Sequence, residues 1–273
     1  MRCVIVLIDG LRPDAVSPET SPALSALAAE YTWAEEATTV RPSVTVAALA
    51  SLATGVAPAT HGLLSPGTGF LSRLVALRPL ARELSRRDIP AQVMAGTVGP
   101  LERSLAGTLI RGAGVSRFQP AGDHAEAIVD VSLPRIRLLR RGLSLVYLAD
   151  CDRAGHEFGW MSGPYFEALA RVDRAMTRLA ELTRDSLVVV VSDHGGGGEQ
   201  ERGHDEPHPL NDRITLLLAG PEVAREHRIT RPVSLLDIPP TVLAYFEVPV
   251  PAGYEGRVID EAMIGRTAGV AVA

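Results

Sequence analysis

The chain has 273 residues, of which 46% are hydrophobic and 22% charged, with a net charge of −5. That size supports a substantial core, and the lack of a basic surplus excludes nucleic acid as a bulk-electrostatic partner. All 27 basic residues are arginine, which excludes lysine-based chemistry, and two cysteines, Cys3 and Cys151, are too few for a disulfide framework.

The chain opens on a strand pattern over 2–8, a continuous apolar run that ends in Asp9-Gly10. No charged segment followed by an apolar stretch and a cleavage site precedes it, and no apolar run approaches membrane-spanning length. A cytoplasmic protein without membrane contact is expected. Helical periodicity follows over 21–34 and again over 44–53. Before the second helix stands Arg41-Pro42-Ser43-Val44-Thr45, where Pro42 and Ser43 are helix-start signals that put Thr45 at the helix N-terminus. Backbone N–H groups and the helix dipole favour an anion such as phosphate there. A plain capping role for Ser43 or Thr45 is the structural alternative. His61, in the turn Thr60-His61-Gly62, reads as structural.

A helix over 71–87 and a strand over 91–95 come next. Residues 96–140 are the least regular part, opened by Gly96, Gly99 and Pro100, and read as a small cap excursion within 96–140. A strand over 143–149 ends at Asp150 and leads into Asp152 and His156. After a helix over 164–183, the strand over 186–192 runs into Asp193-His194 and four glycines. A strand over 213–219 and a helix over 235–246 complete the pattern. Strands alternating with helices predict an α/β fold: a mostly parallel central sheet with helices on both faces, in a single domain spanning 1–273.

In such sheets chemistry gathers at the carboxyl ends of the strands. Three strands here end in an acid, and two of those ends also carry imidazole, which points to a shared metal cluster. Asp150 and Cys151 flank the second cluster, and since strand alternation turns at least one of them elsewhere, both stay out of the expected ligand set.

Taken in order, these islands resemble the alkaline phosphatase superfamily, and within it the nucleotide pyrophosphatase/phosphodiesterase-like branch. The resemblance is carried by Asp9, by Pro42 to Thr45 with Thr54-Gly55 and His61-Gly62, by Asp152-Arg153-Ala154-Gly155-His156, by Ser192-Asp193-His194-Gly195, by Gly203-His204, and by the tail from Asp237-Ile238-Pro239-Pro240-Thr241 to Gly256. It implies an alkaline phosphatase-like domain that hydrolyses a small-molecule phosphoester at a site holding two zinc ions about 4 Å apart, with manganese or iron as alternatives by ligand type. One zinc is expected on Asp152, His156 and His204, the other on Asp9, Asp193, His194 and the Thr45 oxygen, with Thr45 as the catalytic nucleophile. His208, four residues beyond His204, is the alternative ligand.

The branch implies a phosphodiesterase acting through a phosphothreonine intermediate. One position departs from it: the branch places an asparagine after His-Gly, and this chain has Pro66, which has no donor. Alternative readings are a phosphomonoesterase or phosphonate hydrolase of the same superfamily, and a catalytically inactive, metal-stabilised binding protein. Thr45 stands where a sulfatase needs the cysteine or serine that becomes formylglycine.

Overall fold

The computed structural model describes residues 1–65, 67, 69–96 and 110–264. The strands are β1 (Arg2–Ile8), β2 (Thr32–Ala34), β3 (Ala37–Thr38), β4 (Ala91–Ala95), β5 (Arg117–Pro120), β6 (Gly142–Leu148), β7 (Leu187–Val191), β8 (Leu216–Ala219), β9 (His227–Ile229) and β10 (Val233–Ser234). Eight form one sheet in the order β5-β4-β6-β1-β7-β8-β2-β9, while β10 pairs with β3 apart from it. Pairing is parallel from β5 through to β7; β8 runs antiparallel to both β7 and β2, and β2 is parallel to β9. This is the mostly parallel α/β sheet that the sequence predicts.

The middle of the sheet explains its own composition. β1 lies between β6 and β7, and its residues from Cys3 to Ile8 are buried, as is all of β7. A strand covered on both faces has no solvent side, so it reads as an unbroken apolar run. Cys3 and Cys151 are both buried and free, and burial pushes both thiols up, away from thiolate chemistry.

The helices that matter here are α1 (Pro22–Glu30), α2 (Thr45–Thr54), α3 (Pro58–His61), α4 (Phe70–Ala76), α5 (Leu80–Ser85), α6 (Ala125–Leu138), α7 (Asp150–Phe158), α8 (Gly163–Leu179), α9 (Pro209–Asp212) and α10 (Ile238–Tyr245). Several differ from the sequence expectation. The pattern over 21–34 breaks at Glu30, and its tail becomes β2, whose Thr32 and Trp33 add to β8. The pattern over 71–87 splits into α4 and α5, because Pro79 disfavours helical geometry in the residue before it, and Arg78 sits at φ 56°. Within 96–140 the described residues from 117 onward belong to the sheet layer: β5 is its edge strand, and α6 buries Ile128, Val129, Leu133 and Ile136. Pro134 inside α6 hides that helix from sequence reading. Residues 97–109 of the expected cap lie outside the described residues, as does Pro66. Among the described residues no helix is long and apolar enough to cross a membrane.

Candidate active site

Three chain segments leave the carboxyl edge of β1, β6 and β7 and meet there. Asp9 follows β1; its N–H donates to the Leu148 carbonyl of β6 (2.9 Å), and its own carbonyl accepts from the Asp152 N–H (3.1 Å). The backbone thus ties the first acid to the start of α7. Gly10 sits at φ 67°, and a Cβ there would lie 2.9 Å from the Asp152 Cα, so the approach of α7 requires glycine. From β7, Asp193 accepts the N–H of Gly10 (3.4 Å) and of His194 (3.1 Å) on Oδ1. Thr39 donates its hydroxyl to the Asp193 carbonyl.

Asp152 and His156 stand four residues apart in α7, one turn above each other on the same face. Asp150 faces away: its buried carboxylate accepts from Ala125 N–H (3.4 Å) and lies 3.6–3.8 Å from Arg153, His124 and Arg171. The strand-end acid that looks equivalent to Asp9 in sequence is therefore a packing residue.

His194 Nε2 is the centre of the cluster. It lies 3.2 Å from Asp9 Oδ1, 3.5 Å from Asp193 Oδ2, 4.0 Å from Asp152 Oδ1 and 3.1 Å from Thr45 Oγ1. The His204 ring stacks on it with centroids 3.8 Å apart. His204 Nε2 is 3.2 Å from His156 Nε2, and Asp152 Oδ1 is 3.4 Å from His156 and 3.9 Å from His204. Two ligand-type groups result, Asp152-His156-His204 and Asp9-Asp152-His194, each with its atoms within 4.8 Å of one another. Asp152 Oδ1 belongs to both, where the sequence reading gave it to one. Every expected site residue, from Asp9 through Thr45 to His204, is brought together.

Two observations say this cluster suits metal ions. Asp9 Oδ1, Asp152 Oδ1 and Asp193 Oδ2 are buried without a hydrogen-bond partner, an expensive state for carboxylate oxygens unless a cation faces them. The imidazoles are also set in one tautomer. His194 Nδ1 pairs with the Gly195 carbonyl (2.8 Å), His156 Nδ1 with the Arg202 carbonyl (2.9 Å) and His204 Nδ1 with the Ser43 carbonyl (2.7 Å). A carbonyl only accepts, so each Nδ1 must donate, which leaves Nε2 as the ring atom facing the cluster, a lone pair wherever the ring gives up its second proton.

Electrostatics agree. Burial, and then the Asp9 charge, push Asp152 up to about 6 and Asp193 well above the usual carboxylate range. Burial disfavours the His194 imidazolium, yet the carboxylates of Asp193 and Asp9 outweigh it and hold that ring at about 10. Burial, and then the neighbouring His194 charge, bring His204 down to about 4. Three acids packed this closely demand positive charge.

The supporting residues were not visible in sequence. Tyr147, on β6, donates its hydroxyl to Asp9 Oδ2. Trp160 donates Nε1–H to the Gly10 carbonyl (2.9 Å) and makes T-shaped contacts with His156 and His204, ring centroids 5.2 and 5.7 Å apart. Only the register of β6 and the path of the chain after α7 bring them here, so residue type alone carries no signal.

The remaining expectations resolve simply. His208 caps α9 by accepting the Leu210 N–H on Nδ1 (3.2 Å) and stays out of the cluster. His61 is buried, accepts the Leu63 N–H (2.8 Å) and pairs with Ser51 (3.0 Å), a structural role. Thr45 is the first residue of α2, as the sequence predicts. Ser43 caps nothing: its hydroxyl donates to the His204 carbonyl (2.5 Å), closing a two-way clasp with that loop.

The sheet and the acid-imidazole cluster at its carboxyl edge define an alkaline phosphatase superfamily fold. The structure is similar to the phosphonate monoester hydrolase SpPMH from Silicibacter pomeroyi, with a TM-score of 0.74 at 16% identity over 98% of this chain and 77% of that one. It is also similar to an alkaline phosphatase superfamily protein from Vibrio parahaemolyticus, with a TM-score of 0.68 at 17% identity over 89% of this chain and 65% of that one. The chain belongs to the type I phosphodiesterase / nucleotide pyrophosphatase family, which matches residues 3–67 and 100–231. An extracellular sulfatase Sulf-1 homolog of Caenorhabditis elegans is 30% identical over 104 residues, which is 35% of this chain and 15% of that relative's length.

Proposed function

We propose that this protein hydrolyses phosphodiesters through a phosphothreonine intermediate on Thr45. The observation that carries the reading is the position of Thr45 Oγ1, at the N-terminus of α2 and 3.1 Å from the ring nitrogen at the cluster's centre. The donor set fits two divalent ions: Asp152, His156 and His204 would hold one, and Asp9, Asp193, His194 and Thr45 Oγ1 the other. Nitrogen and oxygen donors suit zinc. Bound there, zinc supplies a Lewis acid that lowers the pKa of a hydroxyl or water and offsets phosphoryl charge.

The chain's own residues do the rest. The first-turn N–H groups of α2 have no intrahelical partners and face the non-bridging oxygens of the phosphoryl group. Thr45 Oγ1, stripped of its proton, attacks phosphorus in line, and the ester oxygen opposite departs as the alcohol. Water then attacks the phosphorus of phosphothreonine, restores the Thr45 hydroxyl and releases the monoester. Tyr147 and Trp160 touch the cluster's scaffold rather than the reacting atoms, and act as positioning residues.

A singly charged diester is favoured over a dianionic monoester. The two guanidinium groups next to the motifs are engaged elsewhere, Arg41 with Asp212 and Arg153 with the Asp123 carbonyl and Asp150. Rates of the zinc-loaded protein on matched aryl phosphodiester, phosphomonoester, phosphonate and sulfate substrates test the reading. The diester should show the highest kcat/KM. A tenfold preference for monoester or sulfate, about 1.4 kcal/mol in transition-state binding, would overturn the diesterase assignment.

A further inference from the structure

Asp9 and Asp193 each turn one free oxygen to the cluster, not two. The Asp9 carboxylate is divided: Oδ2 accepts the Tyr147 hydroxyl, while Oδ1 lies 3.2 Å from His194 Nε2 without a hydrogen-bond partner. Asp193 repeats the arrangement. Its Oδ1 accepts the Gly10 and His194 N–H groups, at 3.4 and 3.1 Å. Its Oδ2, 3.5 Å from His194 Nε2, is buried and unpaired. His194 presents only Nε2, since Nδ1 is taken by the Gly195 carbonyl (2.8 Å). Thr45 adds a single oxygen, 3.1 Å from His194 Nε2, and Asp152 Oδ1 stands farther off at 4.0 Å.

That division bears on which cation the group prefers. Zinc is most often held by four donors in a tetrahedron. Manganese and calcium favour six or more oxygens, and a carboxylate that chelates through both of its oxygens helps to supply them. By ligand type alone, carboxylate, imidazole and hydroxyl admit either kind of ion. Hydrogen bonds behind the ligands narrow the choice, because they fix which atom of each ligand is free. At Asp193 those bonds come from the backbone. At Asp9 the bond comes from one side chain, set in place by the register of β6: Tyr147 stands opposite Leu7, two residues before Asp9.

We propose that Tyr147 determines metal specificity: by holding Asp9 Oδ2 it keeps Asp9 a one-oxygen ligand and selects zinc over six-coordinate manganese. Tyr147 acts through Asp9, so it is a positioning residue and not a catalytic one. The proposal rests on the two-metal reading above and adds what selects the ion.

Cobalt(II) replaces zinc and reports its own geometry, absorbing visible light strongly when four-coordinate and weakly when six-coordinate. His156→Ala removes a ligand of the neighbouring group and isolates this one. In that background cobalt should absorb strongly, and adding Tyr147→Phe should cut the absorption severalfold. Calorimetry on the same two proteins should find the ratio of manganese Kd to zinc Kd falling roughly tenfold or more on Tyr147→Phe. A hydroxyl that only braced the fold would weaken both ions alike and leave ratio and spectrum unmoved. Either one unchanged in the folded double variant refutes the proposal and leaves the two-metal reading standing. Weak cobalt absorption with Tyr147 in place refutes it too. Should the double variant not fold, that absorption decides, strong for the proposal and weak against it. No metal bound by the unsubstituted protein overturns the two-metal reading and this proposal with it. Turnover enters none of these measurements, so the diesterase assignment is judged separately.

Discussion

Thr45 Oγ1 supplies the attacking atom in the proposed mechanism, while the carboxylate and imidazole donors come from other residues. Thr45→Ala should therefore keep the fold and most metal while turnover falls roughly 10³-fold or more. Thr45→Ser retains a hydroxyl and should keep measurable activity. Ser43→Ala breaks one side of the clasp with the His204 loop, a loss of about 1 kcal/mol, and should leave turnover largely in place. Kinetics with elemental analysis of each variant check all three. Near-normal turnover in Thr45→Ala with collapse in Ser43→Ala would move the nucleophile. At this scale the cluster residues were legible, because Asp9, Asp193 and His194 stand within three residues of the ends of apolar runs that must meet. Asp150 looked the same and is not part of the cluster; α7 begins there, and the helical turn carries its side chain to Arg153 and Arg171.

Among the elements, the close contact of the β1 end with α7 makes the sharpest demand. Two glycines separate the cost of a left-handed backbone from the cost of a collision. Gly62 sits at φ 65° with nothing within 4 Å of an added Cβ, so Gly62→Ala should lose only about 1–2 kcal/mol. Gly10 has nearly the same φ, but its added Cβ meets the Asp152 backbone at 2.9 Å. Gly10→Ala should cost clearly more, and it should also weaken metal binding by pushing α7 off the cluster. Denaturant unfolding and calorimetric zinc titration of both variants check this; equal losses of stability would show that α7 yields freely. The buried strands β1 and β7 could be read directly, since strands covered on both faces have only one composition open to them. β2 and α7 could not. β2 is three residues whose partners, β8 and β9, come from the far end of the chain. The helical α7 starts on the residue that otherwise reads as a strand's end.

For the whole molecule, metal and proton should oppose each other. Asp152 has its folded pKa raised to about 6, by burial and then by Asp9. Without metal, a raised carboxylate contributes stability that is complete below its unfolded pKa and disappears as pH rises through about 6. With metal, the ligand must be ionised, so affinity is full above about 6 and falls as acid is added. The gap in Tm between zinc-loaded and chelated protein should therefore widen from pH 5 to pH 8. Paired thermal scans measure it, and a gap that is constant or narrows with pH would remove Asp152 from the metal's ligands.

The place of β1 in the sheet also bears on how the chain is made. Its neighbours are β6 and β7, with Arg2 facing Gly142 and Cys3 facing Leu187. During synthesis the first strand emerges long before either partner exists. At roughly 5–20 residues per second the interval before β7 leaves the ribosome is on the order of ten to forty seconds. Through that time a seven-residue segment with a single charge, Arg2, has both edges and both faces unsatisfied. The same apolar run that makes the centre of the finished sheet is thus a sticky nascent segment, and a chain cut short before Leu187 keeps it exposed.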